Sequence, residues 1–342
     1  MTVNFLRRAR KLIDTIDARF WDGNTARFWE VYPPDGRTAF VWPYQAAVGM
    51  CNAYLEARDD AEIRALLTKY LNGLDKYRAE APPRHYDSAA EVGGDPFYDD
   101  NVWIASEFLR ASECLNRPDL IADCREVMRY VYSGFDTNAG ALAWKPAEPT
   151  LNACTNAPAA ELSARLYLRT NNIEYLNWAK KLYAWCVDAL YDKEAGCFFD
   201  HIRLDGTLDE RKYPYNTGKM ISAAVWLYRA ADDEQYLRGA KRYARESAER
   251  FIKKEGGVCR LQPCPWFNMK LLRGYADLRA AAGEDWRGLF VEPAEQALRL
   301  ARGKWGLYGN DWAAAPDRDS GYSLLEQAGF CECLCILAAI KR

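Results

Sequence analysis

Histidine is nearly absent from this chain of 342 residues, which contains only His85 and His201. So few imidazoles argue against a histidine-rich metal centre. The chain also has no phosphate loop, no G-x-G-x-x-G segment after a strand and no G-x-S-x-G motif. These absences argue against nucleotide binding by either loop and against a hydrolase whose nucleophile is the serine of a G-x-S-x-G motif.

Long apolar runs and basic blocks are missing as well. No run approaches the roughly 18 apolar residues that a membrane-spanning helix needs. The net charge of −2 gives no reason to expect nucleic acid as a partner. The charged, amphipathic start lacks the apolar core of a signal peptide. We therefore expect a cytoplasmic protein without a membrane partner, or a secreted one if the natural chain begins further upstream.

The eleven cysteines form no paired framework. Their densest run, Cys331, Cys333 and Cys335, lies in an apolar segment and lacks the C-x2-C spacing of zinc sites. We expect buried, reduced thiols that pack as small hydrophobic groups. No metal and no cofactor are predicted.

Helical periodicity is strong throughout the chain, and it comes in two kinds. Residues 234–253 place apolar side chains at i, i+3, i+4 and i+7, with charged residues opposite, as in a helix with one wet face. Residues 217–230 are apolar nearly all round, as in a helix buried on most sides. Buried-type segments recur at steps of 51 to 60 residues, beginning near Trp42, Tyr98, Thr155, Tyr215, Trp266 and Ser323.

Each buried-type helix is followed by a more polar one, and an amphipathic helix opens the chain, which makes about twelve helices. A solenoid would need polar caps at both ends, but the last buried-type helix is as apolar as the others. A ring closes if the first amphipathic helix packs on the last apolar one. The sequence therefore predicts an all-α (α/α)6 barrel of six inner and six outer helices, forming one domain over residues 1–342.

Aromatic, amide and acidic residues recur where the inner helices begin. Parallel inner helices bring these starts to one rim, where amides could bind sugar hydroxyls and rings could cover sugar faces. Capping of helix ends is the alternative for any single residue. The predicted substrate-binding residues at this rim are Trp42, Tyr44, Gln45, Tyr98, Asn101, Trp103, Asn156, Asn216, Tyr215, Trp266, Asn268, Glu326 and Gln327. The connecting loops add Trp29, Trp144, Asp200, His201, Trp305 and Trp312.

Asp99 and Asp100 are the only adjacent carboxylates at the predicted rim. Neighbours on a helix diverge by about 100°, which could place the two carboxyl groups roughly 5 Å apart, the separation of a retaining glycosidase. Burial beside Trp103 and the neighbouring charge would raise the pKa of the acid, and the helix N-terminus would keep the other carboxylate ionised.

Four stretches resemble glycoside hydrolase family 76, the endo-α-1,6-mannanases: YDDNVW from Tyr98, NACTNAPAAELSARLY from Asn152, LYDKEAGCFFDHIRLDG from Leu190 and YNTGKMISAAVWLYRA from Tyr215. The resemblance extends from Trp42 to about Tyr275. It implies an (α/α)6 barrel and retaining hydrolysis of an α-1,6-mannoside, without a cofactor. Asp99 would be the nucleophile and Asp100 the acid/base. His201 and Thr217 depart from the expected pattern and bear on the substrate subsites.

Three other readings remain open from the sequence. A sugar isomerase or epimerase on the same barrel would use a pair of histidines for proton transfer. An inverting glycosidase would use Asp100 as the acid and a distant base such as Glu326, with carboxyl groups more than roughly 6.5 Å apart. A barrel that only binds carbohydrate would keep the acids as caps. The expected partner is an oligosaccharide or polysaccharide substrate, and the protein is expected to be a monomer.

Overall fold

The structure, a computed structural model, describes residues 3–90, 94–148, 150–317 and 321–340. Six helices form an inner ring: α2 (Val41–Ala57), α4 (Tyr98–Cys114), α6 (Ala153–Thr170), α8 (Pro214–Ala231), α10 (Pro265–Ala282) and α12 (Leu324–Ala338). Six surround it: α1 (Phe5–Phe20), α3 (Ala61–Leu74), α5 (Asp119–Ser133), α7 (Ile173–Leu190), α9 (Glu234–Phe251) and α11 (Val291–Leu300).

The inner helices pack in chain order, and α12 closes the ring on α2. Helix α1 packs against α12, so the first amphipathic helix covers the last apolar one. The predicted (α/α)6 barrel is confirmed. Burial follows the two predicted patterns: α12 is buried at every position from Leu324 to Leu337, whereas α9 buries a stripe that includes Leu237, Ala240 and Tyr243. None of the helices in the described ranges is both long and apolar enough to span a membrane.

Short antiparallel strands connect outer helices to the inner helices that follow. They are β1 (Trp21–Asp22), β2 (Arg27–Phe28), β3 (Val31–Tyr32), β4 (Phe135–Asp136), β5 (Ala141–Leu142), β6 (Thr150–Asn152), β7 (Tyr191–Asp192), β8 (Cys197–Arg203), β9 (Leu208–Lys212), β10 (Lys253–Glu255), β11 (Val258–Arg260) and β12 (Tyr322–Ser323). Strand β8 pairs with β6, β7 and β9. The register opposes His201 to Asn152 on β6 and to Asp209 on β9, so this sheet borders the start of α6.

The inner and outer helices differ in how their N-termini are capped. Side chains of Asn4, Asp60, Asn172 and Asp233 cap the outer helices α1, α3, α7 and α9. Within the described part of the chain, no inner helix has a side-chain N-cap bond. The N-cap of α4 is Phe97, so Asp99 and Asp100 lie inside its first turn. The polar residues at the inner starts therefore lie inside the helices and are not their N-cap residues.

Helices α8 and α10 approach closely at Gly218 and Gly274. A Cβ atom on Gly218 would lie 2.5 Å from the Cα of Leu271 and 2.5 Å from the carbonyl oxygen of Lys270. We expect Gly218→Ala to lower the free energy of unfolding by about 1–3 kcal/mol, because backbone must move to admit the methyl group. Urea unfolding measures this, with Gly288→Ala as the control, since a Cβ there meets nothing within 4 Å. Equal midpoints for the two variants would contradict the close packing.

Charged side chains occupy the barrel axis further along the inner helices. Arg110 contacts three carboxylates: its Nε lies 2.7 Å from Glu56, its Nη1 2.9 Å from Glu107 and its Nη2 3.1 Å from Glu332. Arg273 pairs with Glu56 and Glu332 as well. We call these five residues the axial charge cluster. It lines a cavity of about 220 Å³ that shares Trp103 with the larger cavity at the mouth.

Candidate active site

A cavity of about 580 Å³ opens where the inner helices begin. Both predicted catalytic acids line it, as do seven of the predicted binding residues. These nine residues are Trp42, Asp99, Asp100, Trp103, Trp144, Asp200, His201, Tyr215 and Trp266. Cys154 on α6 and Leu325 on α12 line it as well, so the cavity gathers side chains from all six inner helices and from the β6–β8 sheet.

Local hydrogen bonds fix the start of α4 and hence the acid pair. The backbone N–H of Tyr98 donates to the carbonyl of Trp144 over 2.9 Å. The Asn101 side chain accepts from the N–H of Tyr86 and donates to the carbonyls of Tyr86 and Phe97. These bonds tie the first turn of α4 to the loops on both sides, so the acids project from an anchored backbone.

The two carboxyl groups have different surroundings. Asp99 Oδ1 accepts the backbone N–H of Asp100 over 3.0 Å, and Oδ2 accepts the thiol of Cys154 over 3.2 Å. Burial raises the pKa of Asp99 to about 6, and hydrogen bonds from Cys154, Trp144 and the Asp100 N–H limit that rise. For Asp100, burial and the charge of Asp99 raise the pKa well above its usual range. The surroundings therefore give Asp100 the higher pKa of the two, and at a pH between the two values the pair holds one proton.

Tryptophan rings form the wall beside the acids. The ring of Trp266 lies 5.3 Å from that of Trp42 and 5.2 Å from that of Trp103, edge to face in both cases. The Lys270 ammonium lies behind them, 4.8 Å from the Trp103 ring and 4.7 Å from the Trp266 ring. Such a wall is apolar and rigid, which suits the face of a sugar ring.

Several buried polar atoms of the cavity lining have no hydrogen-bond partner among the described residues. They are Trp42 Nε1, Trp266 Nε1, Thr150 Oγ1 and Asn152 Oδ1. Buried polar groups are normally paired, because an unpaired one costs about 1–3 kcal/mol. Donors and acceptors left free around an aromatic wall are suited to a ligand rich in hydroxyl groups.

On β8, Asp200 and His201 form a hydrogen-bonded pair. The distance from His201 Nδ1 to Asp200 Oδ2 is 3.0 Å, and Asn216 donates to Asp200 Oδ1 over 3.2 Å. Ligand atoms of Asp200, His201 and Asp209 lie within 4.8 Å of one another, a spacing that could hold a cation. Asp209 is already bonded to the Arg211 guanidinium, however, which compensates its charge. These side chains are accounted for by mutual hydrogen bonds.

Besides Gln327 and three loop tryptophans, eight predicted binding residues lie outside the cavity lining, which corrects their predicted position. Asn101 and Asn156 pair with the backbone N–H and C=O of Tyr86 and Leu142. Gln327, also predicted at the rim, does the same with Tyr308. The amides thus anchor the preceding loops to the inner helices. The eight are Tyr44, Gln45, Tyr98, Asn101, Asn156, Asn216, Asn268 and Glu326.

Most other members of this group contact the fold, whereas both polar side-chain atoms of Gln45 are buried without a hydrogen-bond partner among the described residues. The Tyr44 hydroxyl donates to the Tyr70 carbonyl, and the Asn268 amide donates to the Gln262 carbonyl. Tyr98 packs on the ring of Tyr130. Of the loop tryptophans, Trp29, Trp305 and Trp312 do not line the cavity, whereas Trp144 does.

The residues required by the inverting glycosidase and by the isomerase or epimerase are not positioned for those reactions. Glu326 lies outside the lining and accepts the thiol of Cys264 and the N–H of Trp266, so it is not placed as a distant base. His85 stacks on Tyr130 and has Pro83 as its hydrogen-bond partner, away from His201. The two histidines therefore form no proton-transfer pair.

Sequence reasoning missed several lining residues. Thr150, Asn152 and Cys154 belong to the short β6 strand and the first turn of α6, and Arg203 and Arg211 belong to the β8–β9 hairpin. The segment NACTNAP, which carries Asn152 and Cys154, lies in a stretch that resembles the family, but the sequence pattern predicts only Asn156 from it as a binding residue. The signal that could have found Cys154 is its place in the first turn of an inner helix, next to the helix that bears the acids.

A sequence model of glycosyl hydrolase family 76 matches residues 4–332. A provisionally named mannan endo-1,6-alpha-mannosidase of Schizosaccharomyces pombe is 22% identical over 230 residues, which cover 64% of this chain and 51% of that protein. The chain thus spans about half the length of this curated relative.

Solved structures share the fold. The family 76 mannosidase Bt3792 from Bacteroides thetaiotaomicron is 23% identical, with a TM-score of 0.90 and 98% of each chain covered. An inactive variant of the α-1,6-mannanase GH76A from Salegentibacter sp., in complex with α-1,6-mannotriose, is 22% identical, with a TM-score of 0.85 and coverage of 98% of this chain and 99% of that one. At such identities these structures establish the fold, while the family match extends over nearly the whole sequence. The chain belongs to glycosyl hydrolase family 76, a family of glycoside hydrolases.

Proposed function

We propose that this protein hydrolyses α-1,6-linked mannosides with retention of configuration, using Asp99 and Asp100. The observation that carries the proposal is the unequal pair of carboxyl groups in the cavity. One is hydrogen-bonded through both oxygens, and the other carries the higher pKa. Adjacent acids whose surroundings separate their pKa values are suited to different roles in one reaction.

Asp99 is the nucleophile in this mechanism. Its carboxylate attacks the anomeric carbon of the bound mannose, and the bond from that carbon to the leaving oxygen breaks. Asp100 transfers its proton to the leaving oxygen, so the shortened sugar departs as an alcohol. A covalent mannosyl–enzyme ester then remains on Asp99.

The second step regenerates the enzyme. Asp100, now ionised, takes a proton from water as the water oxygen attacks the anomeric carbon from the face that the leaving group vacated. The ester bond to Asp99 breaks, and the product mannose has the same anomeric configuration as the substrate. Two displacements, each with inversion, account for net retention.

The substrate assignment rests on the relatives and on the cavity wall. The Salegentibacter enzyme is named an α-1,6-mannanase, and its inactive variant, with two neighbouring Asp→Asn substitutions, was solved with α-1,6-mannotriose. Here the aromatic wall and the unpaired polar atoms offer the apolar contact and the hydrogen bonds that a manno-oligosaccharide needs.

Proton NMR of the first products from α-1,6-mannotetraose tests this function. We expect the α-anomer to appear first and the β-anomer to grow in by mutarotation. Initial formation of the β-anomer would overturn retention. Mannotetraoses with α-1,2 and α-1,3 linkages serve as controls, and preferential cleavage of either would overturn the linkage assignment.

A further inference from the structure

Cys154 is the second residue of α6, one repeat away from the acids on α4. Its thiol lies 3.2 Å from Asp99 Oδ2, and the residue lines the cavity while only 7% of it is exposed. Helix α6 is anchored beside it, because Asn156 bonds both the N–H and the C=O of Leu142. Because α6 and the start of α4 are both anchored to neighbouring loops, the backbone keeps the Cys154 sulfur close to the Asp99 carboxylate.

We propose that Cys154 is a positioning residue for the nucleophile, which orients the Asp99 carboxylate by holding Oδ2 while the Asp100 N–H holds Oδ1. The proposal rests on the role given to Asp99 in the proposed function. With these two donors on different oxygens, and the Trp144 side chain as a further donor to the carboxylate, the carboxylate plane cannot rotate freely, and its remaining lone pairs keep a constant direction toward the cavity. Orientation of this kind accelerates attack because the reacting atoms are already aligned.

A thiol is well suited to this position because it is a weak donor. A strong donor would hold the carboxylate firmly but would also withdraw charge from the attacking oxygen. Burial raises the pKa of the Cys154 thiol well above its usual range, so the group remains protonated and keeps its donor hydrogen. The titratable groups that face Asp99 and this thiol are Asp100, Asp200 and Tyr215.

The chain offers a matched control in Cys264. Its thiol donates to Glu326 Oε1 over 3.1 Å, also between neighbouring inner helices. Neither Cys264 nor Glu326 lines the cavity. Cys264→Ala therefore removes a thiol–carboxylate bond of the same kind without touching the acid pair.

The test compares kcat, KM and the pH profile of kcat/KM on α-1,6-mannotetraose for Cys154→Ala, Cys154→Ser and Cys264→Ala. Loss of the donor destabilises the ionised form of Asp99, which raises its pKa and moves the acid limb of the profile to higher pH. We expect Cys154→Ala to lower kcat about three- to tenfold with KM nearly unchanged. Cys154→Ser, which keeps a donor, should have an acid limb at or below that of the parent protein. Cys264→Ala should follow the parent.

A carbon-13 NMR titration of the Asp99 carboxyl group separates this proposal from the function. If the parent protein cleaves no mannoside but the pKa of Asp99 still rises in Cys154→Ala and not in Cys264→Ala, the contact stands and the catalytic reading falls. If both the titration and the rate profile of Cys154→Ala coincide with those of the parent, the positioning role is overturned.

Discussion

Asp99→Asn is expected to lower kcat on α-1,6-mannotetraose by roughly 10⁴-fold or more, because the amide cannot form the covalent intermediate. The substitution is nearly isosteric, so the turn of α4 should be retained. Asp100→Asn should lower kcat by about 10²- to 10⁴-fold, the usual contribution of a general acid and base. Initial rates at pH 6 measure both effects, since Asp99 has a pKa of about 6.

An activated substrate separates the two roles. An aryl α-1,6-mannobioside has a good leaving group and needs little protonation, so Asp100→Ala should still release the phenol rapidly and then stall. Added azide should then give an α-mannosyl azide with Asp100→Ala and a β-mannosyl azide with Asp99→Ala. The opposite pairing of anomers and variants would exchange the roles of the two acids. Cleavage by Asp99→Asn at more than a tenth of the parent rate would remove the dyad from the mechanism.

The thermal midpoint of Asp99→Asn provides the folding control. Burial raises the folded-state pKa of Asp99 above its unfolded value. A carboxyl group with a raised pKa favours the folded state at low pH and loses that contribution as pH rises through about 6. At pH 7 the ionised Asp99 thus disfavours folding, so a neutral Asn should leave the midpoint unchanged or higher. A lower midpoint would mean that the carboxylate supports the fold.

Arg110→Gln is expected to lower the free energy of unfolding by about 3–5 kcal/mol at pH 7, because it leaves buried carboxylates of the axial charge cluster without their shared cation. Arg110 is 7% exposed, and Glu107 and Glu332 are 3% and 2% exposed. Burial by itself would raise the pKa of Glu56 and Glu332, but Arg110 and Arg273 outweigh it and hold both values below their usual range. The guanidinium therefore stabilises charges that could not otherwise remain there.

The pH dependence of this deficit gives a second measurement. In the parent, depressed carboxyl pKa values contribute stability that is present above the unfolded pKa and is lost as pH falls through the folded one. In Arg110→Gln the pKa values of the same carboxyl groups should rise, so these groups take up protons as pH falls toward 5 and relieve the repulsion. The difference in urea unfolding between parent and variant should therefore shrink with falling pH.

Arg117→Gln is the matched control for Arg110, since Arg117 pairs with Asp119 where both side chains are exposed. Exposed pairs contribute little, so its unfolding midpoint should stay close to that of the parent. If the unfolding midpoint of Arg110→Gln also stayed close to that of the parent, the axial charge cluster would not stabilise the fold.

The barrel could be predicted because burial leaves a periodic trace in the sequence. Helices with one solvent-exposed face, such as α9, alternate with helices buried on all sides, such as α12. A closed ring gives every fully buried helix an amphipathic helix to cover it, including the last one. The ends of elements were less certain. Helix α3, for example, ends at Leu74, where a 3₁₀ turn at Asp75–Tyr77 follows and the Tyr77 hydroxyl donates to the Ala39 carbonyl, a contact that periodicity does not indicate.

The recurring amides illustrate why the rest of the site could not be predicted. A side-chain amide can bond a sugar or a backbone with equal geometry. Asn101, Asn156 and Gln327 recur because each repeat fastens its loop to its inner helix in the same way, so the recurrence records the architecture and not a ligand. Trp42, Trp144 and Trp266 do line the cavity, where their rings pack against other aromatic rings.

The sequence by itself determined the twelve helices, their alternation and the two acids in the first turn of an inner helix, because these depend on local periodicity and composition. The tertiary structure decided which polar side chains face the cavity and how the acids differ. The partner that distinguishes Asp99 from Asp100, Cys154, lies 55 residues away in the chain and is brought to it when two neighbouring inner helices pack. A contact between repeats leaves no local pattern, so only the packing of α4 against α6 reveals it.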